Sequence, residues 1–79
     1  MKLSLTYSAY REMEQIGSTP LREISAAIVG LAEDPLPTGS TEVEGQGGCH
    51  FLTIDRYCIL YHIDQRDEAL TVLGVVEGP

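Results

Sequence analysis

The second half of the 79-residue sequence contains two apolar, β-rich runs that are separated by only two residues. These runs, residues 49–54 and 57–63, flank Asp55-Arg56. A connection this short can join antiparallel strands but not parallel ones, so the sequence predicts a β-hairpin. The turn pairs Ile54 with Tyr57 and thereby sets the register of the whole hairpin. Because side chains alternate along a strand, the register also assigns each residue to one of two faces.

One face of this hairpin is bulkier and richer in β-branched residues, and we expect it to pack beneath helices. It carries His50, Leu52, Ile54, Tyr57, Ile59, Tyr61 and Ile63. The other face, called the open face below, carries Cys49, Phe51, Thr53, Cys58, Leu60 and His62. Since the open face is also mostly apolar, we expect either another chain or the loop of residues 35–48 to cover it.

The apolar spacing in the first half of the sequence changes from strand-like to helical. Residues 3–7 alternate apolar and polar side chains, with Tyr7 as the last apolar member, which predicts a strand. Ala9, Met13 and Ile16 then follow at helical spacing. Gly17 comes directly after them, and it is predicted to end this first helix.

A second helix has start and stop signals of its own. Thr19 suits the N-cap and Pro20 the first helical position, while Asp34-Pro35 should end the helix. Residues 35–48 contain two prolines and four glycines and should form a loop. Residues 69–76, rich in β-branched side chains, should form the last strand. The predicted fold is α+β in the order β-α-α-β-β-β, a helical hairpin packed on one face of a mostly antiparallel four-stranded sheet.

The length and the net charge of the chain limit the functional classes to which the protein could belong. Seventy-nine residues allow a single domain, residues 1–79. Five basic residues against twelve acidic ones give a formal net charge of −7. This balance argues against strong binding to nucleic acid and against binding to an anionic membrane surface. The sequence has no apolar run of membrane-spanning length and no secretory signal, so we expect a cytoplasmic protein.

The side chains that could bind a metal or take part in catalysis lie in the hairpin. Cys49, Cys58, His50 and His62 match no zinc-binding spacing, and we therefore expect neither a metal nor a cofactor. The weak candidates for acid–base catalysis are His50, His62 and Tyr61, although the two histidines should point to opposite faces. Cys49 lies across from His62 in the predicted register, but no third group orients the pair. The alternative for the histidines is a half-buried packing role.

The segment of residues 33–48 is acidic. It contains four carboxylates and no basic residue. Two interpretations stay open, a solvated loop or a patch that meets a basic partner.

The order of elements and three segments resemble the RelE/ParE toxin superfamily. Residues 31–39, LAEDPLPTG, are similar to a helix end in that family, where a leucine is followed by a short gap and a proline. Residues 55–64, DRYCILYHID, resemble its hairpin, which reads like GDYRILYEID, and residues 71–76 resemble its last strand. The resemblance implies this family's α+β fold. It also implies a type II toxin–antitoxin system, the kind associated with plasmid stabilization.

The resemblance also implies basic residues that are missing here. Catalytic members of the family place arginine and lysine on the open face, where they stabilise the charge that develops during mRNA cleavage. In this sequence Cys58 stands at the position of one expected arginine, and Phe51 and Thr53 stand at the basic positions of the preceding strand. Glu77-Gly78 stand where histidine-arginine is expected, and the terminal tyrosine would lie beyond Pro79.

The resemblance and its departures together predict a toxin-family protein that is degenerate in catalysis and acts by binding a protein. The partner would be an antitoxin-like protein or a second copy of the chain, in a homodimer. The predicted contact residues are those of the open face, Cys49, Phe51, Thr53, Cys58, Leu60 and His62. Two alternatives stay open: a ribosome-dependent mRNA endonuclease with a non-standard active site, and a gyrase-inhibiting ParE-type toxin that needs no arginine at these positions.

Overall fold

The computed structural model describes residues 1–78, so Pro79, the last residue of the predicted domain, lies outside the described residues. The elements in chain order are β1 (Lys2–Leu5), α1 (Tyr7–Glu14), α2 (Ser18–Glu33), β2 (Thr41–Glu42), β3 (Cys49–Ile54), β4 (Tyr57–Asp64) and β5 (Ala69–Glu77). The strands form one sheet in the order β1-β5-β4-β3-β2. Strand β1 is parallel to β5, and the other neighbours are antiparallel.

The sheet has one strand more than the sequence predicts. The additional strand, β2, lies inside the predicted loop of residues 35–48 and pairs Thr41 with Phe51 and Glu42 with His50. The prediction of a four-stranded sheet is therefore wrong in its strand count, although the α+β class and the helical layer on one face are confirmed. Two residues are too few to show an alternation of apolar and polar side chains, so the sequence gives no sign of β2. This strand forms only through its pairing with β3.

Both helices begin earlier than the sequence predicts. The Thr6 hydroxyl accepts a 3.0 Å hydrogen bond from a backbone N–H in the first turn of α1, which makes Thr6 the N-cap. Tyr7 consequently starts the helix with a 75% exposed side chain, and its predicted place on a strand is wrong. Gly17 is the N-cap of α2 and does not end α1. Pro20 occupies the third position of α2, where its missing N–H has no partner to lose.

The core lies between the sheet and the two helices. Helix α2 contributes Ile24, Ile28 and Leu31 from its predicted apolar stripe, and all three are buried. The sheet contributes the buried side chains of Leu52, Ile59, Tyr61, Ile63, Leu70, Val72 and Val75. Within residues 1–78, neither helix is both long and apolar enough to span a membrane.

The hairpin of β3 and β4 has the register that its two-residue turn predicts. Ile54 pairs with Tyr57, and Asp55 in the turn adopts a left-handed φ of +56°, which aspartate tolerates better than most residues. The face predicted to lie beneath the helices does so. Between β4 and β5 the register shifts by one residue at Leu73, since Leu60 pairs with Gly74 while Tyr61 pairs with Val72.

Candidate functional site

The open face lies on the side of the sheet opposite the helices. The hairpin register places its six residues in three neighbouring cross-strand pairs, Cys49 with His62, Phe51 with Leu60 and Thr53 with Cys58. Thr53 is exposed, and the other five are half-buried. Phe51 and Leu60 form the middle pair, so the centre of the open face is apolar and half-buried.

Strand β5 extends this apolar surface. Val76 pairs with Cys58 and is 40% exposed. The sequence interpretation missed Val76 because it assigned faces only within the hairpin. Side chains alternate between faces along the last strand as well. Once Val76 is paired with Cys58, this alternation places Val76 on the open face.

The open face carries no basic side chain of its own. None of its six residues is lysine or arginine. Two of the chain's arginines are engaged elsewhere, since Arg11 lies 3.5 Å from a Glu14 carboxylate oxygen and Arg56 lies 3.4 Å from one of Glu77. This face therefore offers apolar contacts but no positive charge to neutralise a phosphate.

The structure separates the three weak catalytic candidates. His62 lies on the open face, whereas His50 stacks on Tyr61 on the helix side, with ring centroids 5.7 Å apart and planes at 20°. The Nδ1 atom of His50 lies 3.1 Å from the carbonyl oxygen of Gly48, and Nε2 lies 3.9 Å from a Glu42 carboxylate oxygen. With only 11% of its side chain exposed, His50 is placed for packing beside β2.

Tyr61 is fully buried and hydrogen-bonded through its hydroxyl. The hydroxyl donates a 2.8 Å hydrogen bond to the carbonyl oxygen of Pro35. Burial raises the pKa of Tyr61, a hydrogen bond with Ser40 offsets part of this increase, and the Asp34 carboxylate adds a smaller increase. Tyr61 is therefore a neutral phenol inside the core, and it does not face a solvent-accessible substrate.

Neither cysteine forms an activated nucleophile. Both thiols are free and half-buried, and burial raises the pKa of Cys58, which disfavours the reactive thiolate. Cys49 faces His62 across the strands as predicted, yet no third side chain within residues 1–78 completes a catalytic arrangement. In the same part of the chain, no three His, Cys, Asp or Glu side chains are grouped so that they could hold a metal ion.

The loop of residues 35–48 borders the open face at its edge, where Thr41 pairs with Phe51 and a Cβ on Gly48 would lie 2.9 Å from Nε2 of His62. Its first residues pack on the helix side, where Pro35 accepts the Tyr61 hydrogen bond and a Cβ on Gly39 would lie 3.8 Å from Leu52. Its middle forms β2 and extends the edge of the sheet. Of the two predicted covers for the open face, a loop or another chain, the loop therefore flanks the face at the β2 edge.

The fold itself is known from other proteins. No protein-family model and no curated protein matches the sequence. Among solved structures, the isolated E. coli RelE toxin matches with a TM-score of 0.87 and 19% identity, over 99% of this chain and 84% of that one. RelE in the RelE–RelB complex of Pyrococcus horikoshii matches at 0.85 and 14% identity, over 96% and 92%. The YoeB/ParE toxin of Agrobacterium tumefaciens matches at 0.83 and 17%, over 100% of both chains.

These matches show that the chain has the fold of the RelE, YoeB and ParE toxins. They confirm the fold that the resemblance of residues 31–39 and 55–64 implies.

Proposed function

We propose that this chain is a toxin-family protein of a type II toxin–antitoxin pair that has lost RNA cleavage and acts by binding a protein through the open face. The observation that carries the proposal is the half-buried, apolar Phe51–Leu60 pair at the centre of a face whose six residues include no basic side chain. An apolar pair in this position is suited to a contact with another protein.

Energetics favour a covered open face. Each Å² of apolar surface removed from water contributes about 25 cal/mol. A domain of this size has a net stability of only a few kcal/mol, so covering Phe51, Leu60 and the neighbouring Val76 adds a large fraction of that amount.

The arrangement of the catalytic candidates supports the proposed loss of cleavage. Phosphodiester cleavage needs positive charge near the phosphate and a correctly placed acid and base. On the open face only His62 offers a titratable nitrogen, while His50 and Tyr61 lie on the other side of the sheet. A single histidine with no cation beside it leaves the developing charge unstabilised.

An antitoxin-like protein is the partner that the comparisons support. Several solved proteins with this fold form complexes with RelB antitoxins. A pair of this kind would act in the cytoplasm. A homodimer formed through the same face is the second form that the partner could take, since a face with a central apolar pair can also meet its own copy.

The test for lost catalysis is a reconstituted translation reaction programmed with a defined mRNA. We expect no new mRNA ends when this protein is added, whereas a ribosome-dependent nuclease of the same fold produces them under the same conditions. Cleavage that disappears in the His62→Ala variant would contradict the proposal and identify a non-standard active site. A supercoiling assay with purified gyrase distinguishes the ParE-type alternative.

A further inference from the structure

The part of β5 that extends past β1 is an unpaired strand edge. Strand β1 ends at Leu5, whereas β5 continues to Glu77, so residues 73–77 have no strand neighbour on that side within the described chain. Gly74 and Val76 pair with β4, and Gly78 donates a hydrogen bond to the Arg56 carbonyl oxygen. By alternation, the intervening Val75 and Glu77 direct their backbone groups away from β4.

Two side chains from outside the sheet occupy this edge. The Oε1 atom of Glu12, a half-buried residue of α1, accepts a 2.9 Å hydrogen bond from the backbone N–H of Val75. The hydroxyl of Thr6 donates a 3.1 Å hydrogen bond to the carbonyl oxygen of Leu73. A strand that paired with this edge would have to form hydrogen bonds with both of these backbone groups, the N–H of Val75 and the carbonyl of Leu73.

The backbone of β5 is shaped to receive the Glu12 carboxylate. The register shift at Leu73 lies next to Gly74, and a Cβ on Gly74 would lie 3.1 Å from Oε1 of Glu12. That separation is tighter than ordinary contact, so a larger residue would push the carboxylate away. The missing side chain of Gly74 is therefore what lets the carboxylate approach Val75.

The edge would otherwise be suited to pairing. Leu73 is 39% exposed and Val76 40% exposed, so apolar side chains border the backbone groups. Natural sheets protect such edges with charged side chains that an incoming strand would have to bury. Displacing Glu12 into an interface would leave its charge without the Val75 hydrogen bond, which is costly.

We propose that Glu12 closes the β5 edge, so that residues 73–77 do not pair with the same segment of a second copy of this chain. Two copies related by a twofold axis would place these segments antiparallel, which is why a second copy is the natural occupant once the carboxylate is removed. The inference does not depend on the open face, because the edge and the face use different groups of the protein.

The experiment compares Glu12→Ala with Glu14→Ala, both in a Leu60→Asp background that removes association through the open face. Glu14 is the matched control, since it lies on the same helix and its one ion pair within residues 1–78 is with the exposed Arg11. We expect Glu12→Ala to speed hydrogen exchange of the Val75 amide by about tenfold or more in dilute protein. We also expect it to add a concentration-dependent dimer in sedimentation, with Glu14→Ala unchanged in both measurements.

The proposal requires both changes. Unchanged Val75 exchange in Glu12→Ala would overturn it, and so would faster exchange without added association. If Glu12→Ala does not fold, Gly74→Ala decides by the same two readouts, because the new methyl group displaces the carboxylate while α1 keeps its sequence.

Discussion

The hydroxyl of Tyr61 donates a 2.8 Å hydrogen bond to the carbonyl oxygen of Pro35, which ties the centre of β4 to the segment that leaves α2. The two residues are 26 positions apart in the sequence. The tyrosine ring is fully buried and stacks on His50, which in turn lies beside Glu42 of β2. The helix end, the β2 edge and the core thus meet at one side chain.

Removal of this hydroxyl should weaken the fold without emptying the core. We expect Tyr61→Phe to lower the free energy of unfolding by about 1 kcal/mol, because the ring stays buried while the Pro35 carbonyl loses its partner. Urea unfolding measures the change. Tyr10→Phe is the control, since the Tyr10 side chain is 55% exposed, and it should be neutral. Equal stabilities of the two variants would contradict a structural role for the hydroxyl.

The same residue predicts a pH dependence at high pH. Burial raises the pKa of Tyr61 above its ordinary value of 10.0. The folded state therefore holds the proton more tightly than the unfolded state, and this contribution is complete below pH 10 and lost as the pH rises through the folded-state value. Above pH 10, wild-type stability should fall more steeply than that of Tyr61→Phe. Parallel stability curves would show that the tyrosine does not titrate differently on folding.

The hairpin was predictable because its information is local. Asp55-Arg56 fixes the turn, the turn fixes the register, and the register fixes which of Phe51 and Leu52 faces the helices. Strand β2 was not predictable, since Thr41 and Glu42 become a strand only by pairing with distant residues. The two helix starts were mispredicted for a third reason. Tyr7 continues the alternation of the first strand although Thr6 caps α1, and Thr19 is a more typical N-cap residue than Gly17, which caps α2.

The candidate site also has features that the sequence predicts and features that it does not. Alternation along the hairpin predicts from the sequence alone that His50 and His62 lie on opposite faces, and the structure has this arrangement. The hydrogen bond of Tyr61 with Pro35 and the contact of Glu12 with Val75 join residues far apart in the chain, and no pattern in the sequence marks either one. Long-range polar contacts of this kind depend on the packed fold.

Gly48 should be intolerant of a side chain. It has a φ of +80°, and a Cβ there would lie 2.9 Å from both Nε2 of His62 and the carbonyl oxygen of Ile63. We expect Gly48→Ala to destabilise the protein by about 1–3 kcal/mol, measured by urea unfolding. Gly47→Ala is the control, because nothing lies within 4 Å of its Cβ position and its φ is not positive. If both variants unfold at the same urea concentration, the close approach to His62 has no cost.

Cys49 and Cys58 should not form a disulfide within one chain. Cys49 pairs with His62, and His62 lies four residues from Cys58 along β4, a separation of about 13 Å. A disulfide tolerates only about 7 Å between Cα atoms. Non-reducing mass spectrometry of the oxidised monomer should therefore find both cysteines unbridged. An intramolecular bridge would mean that the hairpin register is wrong.

RNA should bind weakly or not at all. With a formal net charge of −7 and no basic residue among the six of the open face, this face offers no cation that would release counterions from a phosphate backbone. A gel-shift titration at physiological ionic strength should show no salt-dependent complex. Micromolar affinity that weakens steadily as salt is added would favour the nuclease alternative.

Sedimentation of the purified protein over a range of concentrations tests the central claim, that the open face is a protein contact, most directly. We expect the wild type to associate, as a dimer or with a co-purified partner. Leu60→Asp should lose this association, because the contact would bury an unpaired charge. Val29→Asp on α2, where the native side chain is 63% exposed, should associate like the wild type. A wild type that stays a folded monomer at every concentration, with no partner and with concentration-independent stability, would contradict the claim.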